Sequence, residues 1–352
     1  MNSIDKANIS IKNKNLKYSI RKDKNIIQSS IEEGIKLPYS CRSGVCGTCK
    51  AKLIKGKIDK ENNFNSALSE EDIKNDIFLA CQSKAISSDI KIELISPLPI
   101  QSDLYKKMKP RNIIAEVITA RQITPLVKEI GITISRNNHF LYEAGMSVEF
   151  VIPDITPNRE YSIVDSPDED GNATSGILRF LVACHNNSKA SAYIKKHICV
   201  GDIITINGPF GNFSIPIKIK KPILALVGGT GISPVLSLIQ KHLKSEAKFP
   251  IMLVSSFRNR EETLMMEELQ KLSFKNSMFS YKITLTREKP KNESRFLYGR
   301  IPTILNRIFA ELSEHIVLIS GSPLFVEDCL NKVKSLHADE KNIYIETFNS
   351  KS

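Results

Sequence analysis

Four of the seven cysteines carry the first chemistry legible in the chain. Cys41, Cys46 and Cys49 fall within PYSCRSGVCGTC, and Cys81 stands alone farther along. Three thiolates from one tight loop and a fourth from a distance suit a compact anion of two irons and two bridging sulfides, whose ligand spacing is C-x4-C-x2-C with a remote Cys. Ser43, Gly44 and Gly47 let such a loop turn its N–H groups inward, toward sulfur. Zinc would take paired cysteines or cysteine with histidine, and no second C-x2-C exists. The six histidines are dispersed, so a Rieske centre has no ligands. A redox dithiol at Cys46 and Cys49 would need neither Cys41 nor Cys81. Against these, and against unrelated buried thiols, the spacing favours a 2Fe-2S cluster on Cys41, Cys46, Cys49 and Cys81.

Two further constellations follow. Arg159-Glu160-Tyr161-Ser162 lies in a strand-like run, where alternation puts Arg159 and Tyr161 on one face, a cation beside an aromatic plate. Such a pair can hold a phosphate and cover a ring, or it can be a plain cross-strand surface pair. Gly228-Gly229-Thr230-Gly231 ends an apolar run and opens a helix-like one, where bare backbone can approach a phosphate. Ser320-Gly321-Ser322-Pro323 ends another apolar run in the same way.

The elements that must position these residues sort into three segments and a linker. Residues 1–95 read as a small α+β domain: a hairpin in NISIKNKNLKYSI, and a helix in IIQSSIEEGI beginning near Ser29/Ser30 and ending at Gly34. A strand in AKLIKGKID and a capped helical turn before Cys81 complete it. Residues 96–110, polar, basic and proline-bounded, read as a linker. Residues 111–216 contain short β-type runs separated by turn residues, the pattern of a small antiparallel barrel. From 217 to 352 strands alternate with helices, including a helix over IPTILNRIFAEL, which predicts a doubly wound parallel sheet with ligands at its carboxyl edge.

Length and composition agree with several domains. The chain has 352 residues, 41% hydrophobic and 25% charged, too apolar for disorder and without collagen, coiled-coil or disulfide-scaffold bias. Its opening residues lack the apolar core of a secretory signal, and the apolar run Ile223 to Ile239 is too short and too interrupted to span a membrane. The net charge of +12 is spread along the chain, Trp is absent, and no nucleic-acid motif appears. Within 1–95 there are 17 basic and 12 acidic side chains, a solvated surface or one that steers an acidic partner.

With Ser191-Ala192-Tyr193-Ile194 and Gly208-Pro209-Phe210-Gly211 behind the Arg-x-Tyr-Ser run, the middle segment resembles the FAD-binding barrel of the ferredoxin–NAD(P)H reductase superfamily. The resemblance implies that Arg159 meets the flavin diphosphate, Tyr161 packs on the isoalloxazine, Ser162 approaches N5 and Ser191 serves the second phosphate loop. That loop lacks the family's usual Gly. The glycine motif and the later Ser-Gly-Ser-Pro resemble the family's nicotinamide motifs, implying roles for Gly229, Thr230, Gly231, Ser320, Gly321 and Ser322. Ser320 stands where the family usually has Cys. By the same resemblance Arg258 contacts the adenosine half, with Ser255, Ser256 and Arg260 beside it for a 2′-phosphate, and NADH or NADPH stays open. Phe348 matches a family aromatic near the flavin; otherwise it belongs to a frayed C-terminus.

In that order, a β-grasp 2Fe-2S ferredoxin domain, an FAD barrel and an NAD(P) domain resemble single-chain iron–sulfur flavoprotein reductases. These pass electrons from NAD(P)H through FAD and the cluster to a protein acceptor. LIKGKID, CQSKAISSDIKIEL and Gly321-Ser322 are similar to CDP-6-deoxy-glucoseen reductases, which serve a nucleotide-sugar dehydrase; the reductase component of a mono- or dioxygenase is the alternative. Two rivals of other classes are a non-catalytic iron–sulfur redox sensor and a zinc-binding module on an inert barrel. Unpaired Cys184, Cys199 and Cys329 point to a reducing cytoplasm.

Overall fold

Alternating burial makes the first hairpin. The computed structural model describes residues 5–12, 16–35, 37–39, 42, 44, 47–59, 67–95, 108–135, 140–156, 158–184, 188–211, 213–215, 221–244, 249–288 and 296–348. Strand Lys6–Ile11 (β1) buries Ala7, Ile9 and Ile11 and pairs antiparallel with Leu16–Arg21 (β2). Helix Ile26–Glu32 (α1) follows, and it starts earlier than the serines suggest. Its cap is Asn25, whose side chain accepts from the Gln28 N–H at 2.8 Å. Ser29 and Ser30 are buried inside the helix because both hydroxyls are satisfied. Ser29 Oγ accepts from the Arg21 N–H at 2.7 Å, and Ser30 Oγ donates to the Ile26 carbonyl at 2.6 Å.

The segment expected as one strand breaks at Gly56 into Lys50–Lys55 (β3) and Ile58–Asp59 (β4). Helix Glu70–Lys74 (α2) opens on a Ser69/Asp72 capping box, and strand Ile77–Leu79 (β5), not foreseen, stands between it and Cys81. With Lys84–Ala85 (β6) and Asp89–Leu94 (β7), the described residues form a five-stranded sheet β2-β1-β7-β3-β5 and a β4-β6 pair. β1 and β7 are parallel neighbours while the flanking pairs are antiparallel, the mixed sheet of a β-grasp.

By compactness the chain divides into 1–110 and 111–352. In the second unit Arg111–Thr124 (β8), Val127–Ile134 (β9), Ser147–Val151 (β10), Arg159–Ser162 (β11), Ile177–Ala183 (β12) and Ile203–Phe210 (β13) pair antiparallel in the order β11-β10-β13-β8-β9-β12. A bridge between Ile163 and Phe180 joins the two ends, so the sheet closes into a barrel. Helix Lys189–His197 (α3), which begins in the segment that the resemblance assigns to the second phosphate loop, is held by a buried lysine. Lys128 Nζ on β9 donates to the carbonyls of Ile194, Lys195 and Ile198 at 3.1, 3.2 and 2.6 Å, filling the orphan acceptors of the helix end. Lys128→Met keeps the stem and removes the donor, and it should destabilise this unit by about 2–3 kcal/mol, read as a lowered denaturant midpoint.

The remaining elements alternate: Ile223–Gly228 (β14), Ile232–Lys244 (α4), Ile251–Phe257 (β15), Met266–Lys275 (α5), Phe279–Leu285 (β16), Phe296–Tyr298 (β17), Ile301–Leu305 (α6), Ile316–Gly321 (β18), Pro323–Ser335 (α7) and Ile343–Thr347 (β19). All six strands are parallel, in the order β17-β16-β15-β14-β18-β19. β17 was not expected, and α6 ends at Leu305 where the sequence suggested a helix reaching Leu312; residues beyond it form turns. Strand order reverses between β14 and β18, the switch point where open α/β sheets take ligands. Barrel and sheet share one core: Val127, Ala144, Val164, Leu181 and Phe213 pack in the same cluster as Ile232, Val235 and Leu238. Among the described residues no helix is long and apolar enough to cross a membrane.

Candidate functional site

In the first unit the structure brings two of the four cysteines together. Cys49, just before β3, and Cys81, just after β5, are both buried and unbridged, and their sulfurs stand 3.3 Å apart. Pairing of β3 with β5 sets this approach, reinforced by the Ala80 N–H donating to the Cys49 carbonyl at 3.1 Å. Gln82 Nε2 lies 3.0 Å from the Arg42 carbonyl and 3.5 Å from Cys81 Sγ, tying the loop to the remote cysteine. Gly44 has φ +86, a backbone state that favours glycine and turns this loop. Two buried thiols this close suit one soft metal ion, since two adjacent thiolates without a cation would repel in a dry site. Cys41 and Cys46 lie outside the described residues.

In the second unit β11 carries Arg159, Tyr161 and Ser162. Arg159 and Tyr161 share a face opposite Phe150 and Val148 of β10, and Ser162 is buried opposite Ser147. The Tyr161 ring rests on Phe150, centroids 4.9 Å apart at 59°, and burial pushes its phenol up, so it stays neutral. Glu160, on the other face, accepts from the Ser147 hydroxyl. Ser191 is in the first turn of α3, its N–H directed to the Ser188 hydroxyl at 3.4 Å. Ser188 therefore caps a helix, and the missing glycine reflects a helical start there.

At the sheet's switch point the two strand-end motifs meet. Val227 of β14 pairs with Ser320 of β18, and a Cβ on Gly231 would stand 2.4 Å from the Ser320 carbonyl oxygen. The glycine turn 229–231 lies against β12, the strand bridged to Ile163 next to Ser162. Gly229 has φ +54 and nothing within 4 Å of the place a Cβ would take, so its backbone is open to close approach. Thr230 is half-buried beside it. The Ser320 hydroxyl is wholly buried without a hydrogen-bond partner among the described residues, as are those of Ser255 and Thr284 in the same sheet. The bare backbone of the glycine turn fits the phosphates of a dinucleotide. Gly321 packs under the Phe325 ring, and Ser322 caps α7 by accepting from the Phe325 N–H at 3.4 Å. The Phe348 N–H donates to the Gly321 carbonyl at 2.9 Å, so the chain is still tied down there.

At the edge of the crevice the expected four-residue group separates. Ser255 is wholly buried in the sheet, and Arg260 is engaged by Glu288 at 3.0 Å and by the Tyr298 hydroxyl at 3.1 Å. Arg258 is exposed, with Glu262 only at 3.9 Å. Sequence reading missed Arg287, also exposed, whose N–H donates to the Arg258 carbonyl at 2.8 Å. The signal available was TREK following a strand, placing a cation at the same sheet edge. Cys329 faces the core from α7, and burial pushes its thiol up to about 12, which leaves it unreactive.

Comparison with known proteins covers the same ground. Residues 9–85 match the 2Fe-2S iron-sulfur cluster binding domain and residues 226–331 the oxidoreductase NAD-binding domain. The reductase component of propane 2-monooxygenase from Mycolicibacterium goodii is 23% identical over 98% of this chain and 98% of that protein. The ferredoxin--NAD(P)(+) reductase component of the Pseudomonas putida naphthalene 1,2-dioxygenase system is 25% identical over 92% and 93%. The Amycolatopsis cytochrome P450 reductase GcoB has the same fold, with a TM-score of 0.79, 20% identity, and coverage of 97% of this chain and 98% of that one.

Proposed function

We propose that the chain is a member of the ferredoxin–NAD(P)H reductase superfamily and serves as the reductase component of a multicomponent oxygenase, taking electrons from a pyridine nucleotide and delivering them to a protein acceptor. What supports this reading above all is that a buried thiol pair and a barrel-plus-sheet unit share one chain, matched nearly end to end by a monooxygenase reductase. The relatives favour an oxygenase as the acceptor over the sugar dehydrase to which LIKGKID and its neighbours pointed.

In this reading residues 1–95 hold the 2Fe-2S cluster on Cys41, Cys46, Cys49 and Cys81, and 96–110 link it to the rest. Residues 111–216 hold FAD, and 217–352 hold the nucleotide. Flavin exchanges electrons in pairs or singly and the cluster only singly, which together convert a two-electron donor into a one-electron supply. Arg159 and the first turn of α3 with Ser191 supply positive charge and donors for the diphosphate, while Tyr161, pressed on Phe150, offers a fixed aromatic wall. The Ser162 hydroxyl, buried, would serve the flavin edge. The backbone of Gly229, Thr230 and Gly231 takes the nucleotide diphosphate, with Ser320 beneath the nicotinamide end. Gly321 and Ser322 shape the crevice floor. Phe348, anchored at Gly321, stands at the flavin side, and Arg258 takes the adenosine end. Free buried Cys184 and Cys329 fit a cytoplasmic protein.

The test is made on protein purified without oxygen. Equimolar iron and acid-labile sulfide, tightly bound FAD and NAD(P)H-driven reduction of a one-electron protein acceptor are expected. A colourless protein holding zinc overturns the reading, and flavin that NAD(P)H does not reduce points instead to a sensor.

A further inference from the structure

The acidic turn after β11, Asp165 to Gly176, has no part in the proposed binding of cofactors, yet it is where barrel and parallel sheet are joined. Asp165 stands three residues past Ser162, with buried Ile163 and Val164 between. Its carbonyl accepts from Ser237 Oγ at 2.8 Å. The next N–H, of Ser166, donates to Gln240 Oε1 at 2.9 Å, and Ser166 Oγ accepts from Lys244 Nζ at 3.0 Å. Ser237, Gln240 and Lys244 recur on one face of α4, the helix that begins directly after Gly231.

One guanidinium completes the joint. Arg179 on β12 directs Nε to Asp165 at 2.9 Å and forks Nη1 and Nη2 onto Glu268 of α5 at 2.6 and 3.2 Å, with Glu129 of β9 at 3.5 Å. A planar fork between two carboxylates fixes direction as well as distance. The apolar core beneath supplies cohesion across the seam but is non-directional. A cleft of about 400 Å³ opens there, lined among others by Asp165, Ser166, Thr174, Gln240 and Lys244. Side chains crossing that seam must therefore set its angle.

We infer that Arg179, forked between Asp165 and Glu268, is a positioning residue that fixes the angle between the flavin strand and the nicotinamide turn. The inference rests on the reading given under Proposed function. Ser162 and Gly231 are each only a few residues from this joint, so a small rotation about it moves one binding segment past the other. Transfer between bound rings tolerates little error: a 1 Å misplacement costs on the order of 100-fold.

Arg179→Met and, as a milder change, Glu268→Gln are compared with the unsubstituted full chain. The expected result is flavin content unchanged, KM for NAD(P)H within about twofold and flavin reduction slowed about tenfold or more in Arg179→Met, with partial recovery in Arg179→Lys. Independently of turnover, amide exchange at Ser166 should accelerate in both variants as its bond to Gln240 loosens. Unchanged flavin reduction and unchanged Ser166 exchange in both variants overturn the inference. An unsubstituted chain whose bound flavin NAD(P)H does not reduce overturns the functional reading itself, and the positioning role with it.

Discussion

Cys49→Ser is expected to strip the protein of iron and sulfide and to lower electron delivery to a one-electron protein acceptor by roughly 100-fold or more, leaving NAD(P)H-driven ferricyanide reduction within about twofold. The size of the effect follows from the site. Cys49 and Cys81 are buried with sulfurs 3.3 Å apart, so the two are stable together as thiolates only with a shared cation. A serine hydroxyl is slightly smaller, ionises far less readily and binds iron less well, and the fourth ligand cannot move to replace it because β5 fixes Cys81 beside Cys49. Ferricyanide, a small acceptor able to draw on the flavin directly, reports the second unit alone. The measurement is a visible spectrum with iron and sulfide analysis beside the two acceptor assays. A variant that keeps its iron and its protein-acceptor rate removes Cys49 from the ligand set; loss of both activities shows that the two units are not separable.

How much of this was legible in the chain depends on the range of the physics involved. The cysteine spacing, the shared face of Arg159 and Tyr161, and the glycine turn at the end of an apolar strand are local, set by loop length, side-chain alternation and backbone freedom. Each can be read a few residues at a time. What escaped is tertiary. Ser29 and Ser30 resembled a helix start because serine prefers caps, but partners at Arg21 and Ile26 let them lie inside one. The strand β17 is only three residues long and takes its identity from pairing with Ile283, Thr284 and Leu285. Lys128 is a surface residue by type, buried because three helix-end carbonyls await it. Arg179, Asp165 and Glu268 come from three separate elements, and only the folded barrel and sheet bring their charges into one fork. Of the arginines at the crevice edge, the sequence could name Arg258 but could not see that Glu288 and Tyr298 engage Arg260 while Arg287 comes alongside.

The glycine turn offers the sharpest separation between binding and assembly. Gly231→Ala would place a methyl 2.4 Å from the Ser320 carbonyl oxygen and 2.7 Å from its carbon, both backbone atoms of a strand locked between β14 and β19. No rotamer change relieves that contact, so the turn must lift away from β18, parting the two strand ends that together form the crevice floor. Flavin reduction by NAD(P)H should fall about 100-fold, while bound FAD, which the proposed site puts on a different strand, is retained and still bleached by dithionite. Gly229→Ala meets no atom within 4 Å and costs only its left-handed backbone, about 1 kcal/mol. Its methyl would instead project into the space a diphosphate needs, so the KM for the nucleotide should rise several-fold with little change in kcat. Rapid-mixing measurement of flavin reduction over a range of nucleotide concentrations distinguishes the two. Should Gly231→Ala reduce its flavin at the unsubstituted rate, the close approach of turn and strand plays no part in forming the nucleotide site, and the crevice would have to be placed elsewhere along the sheet.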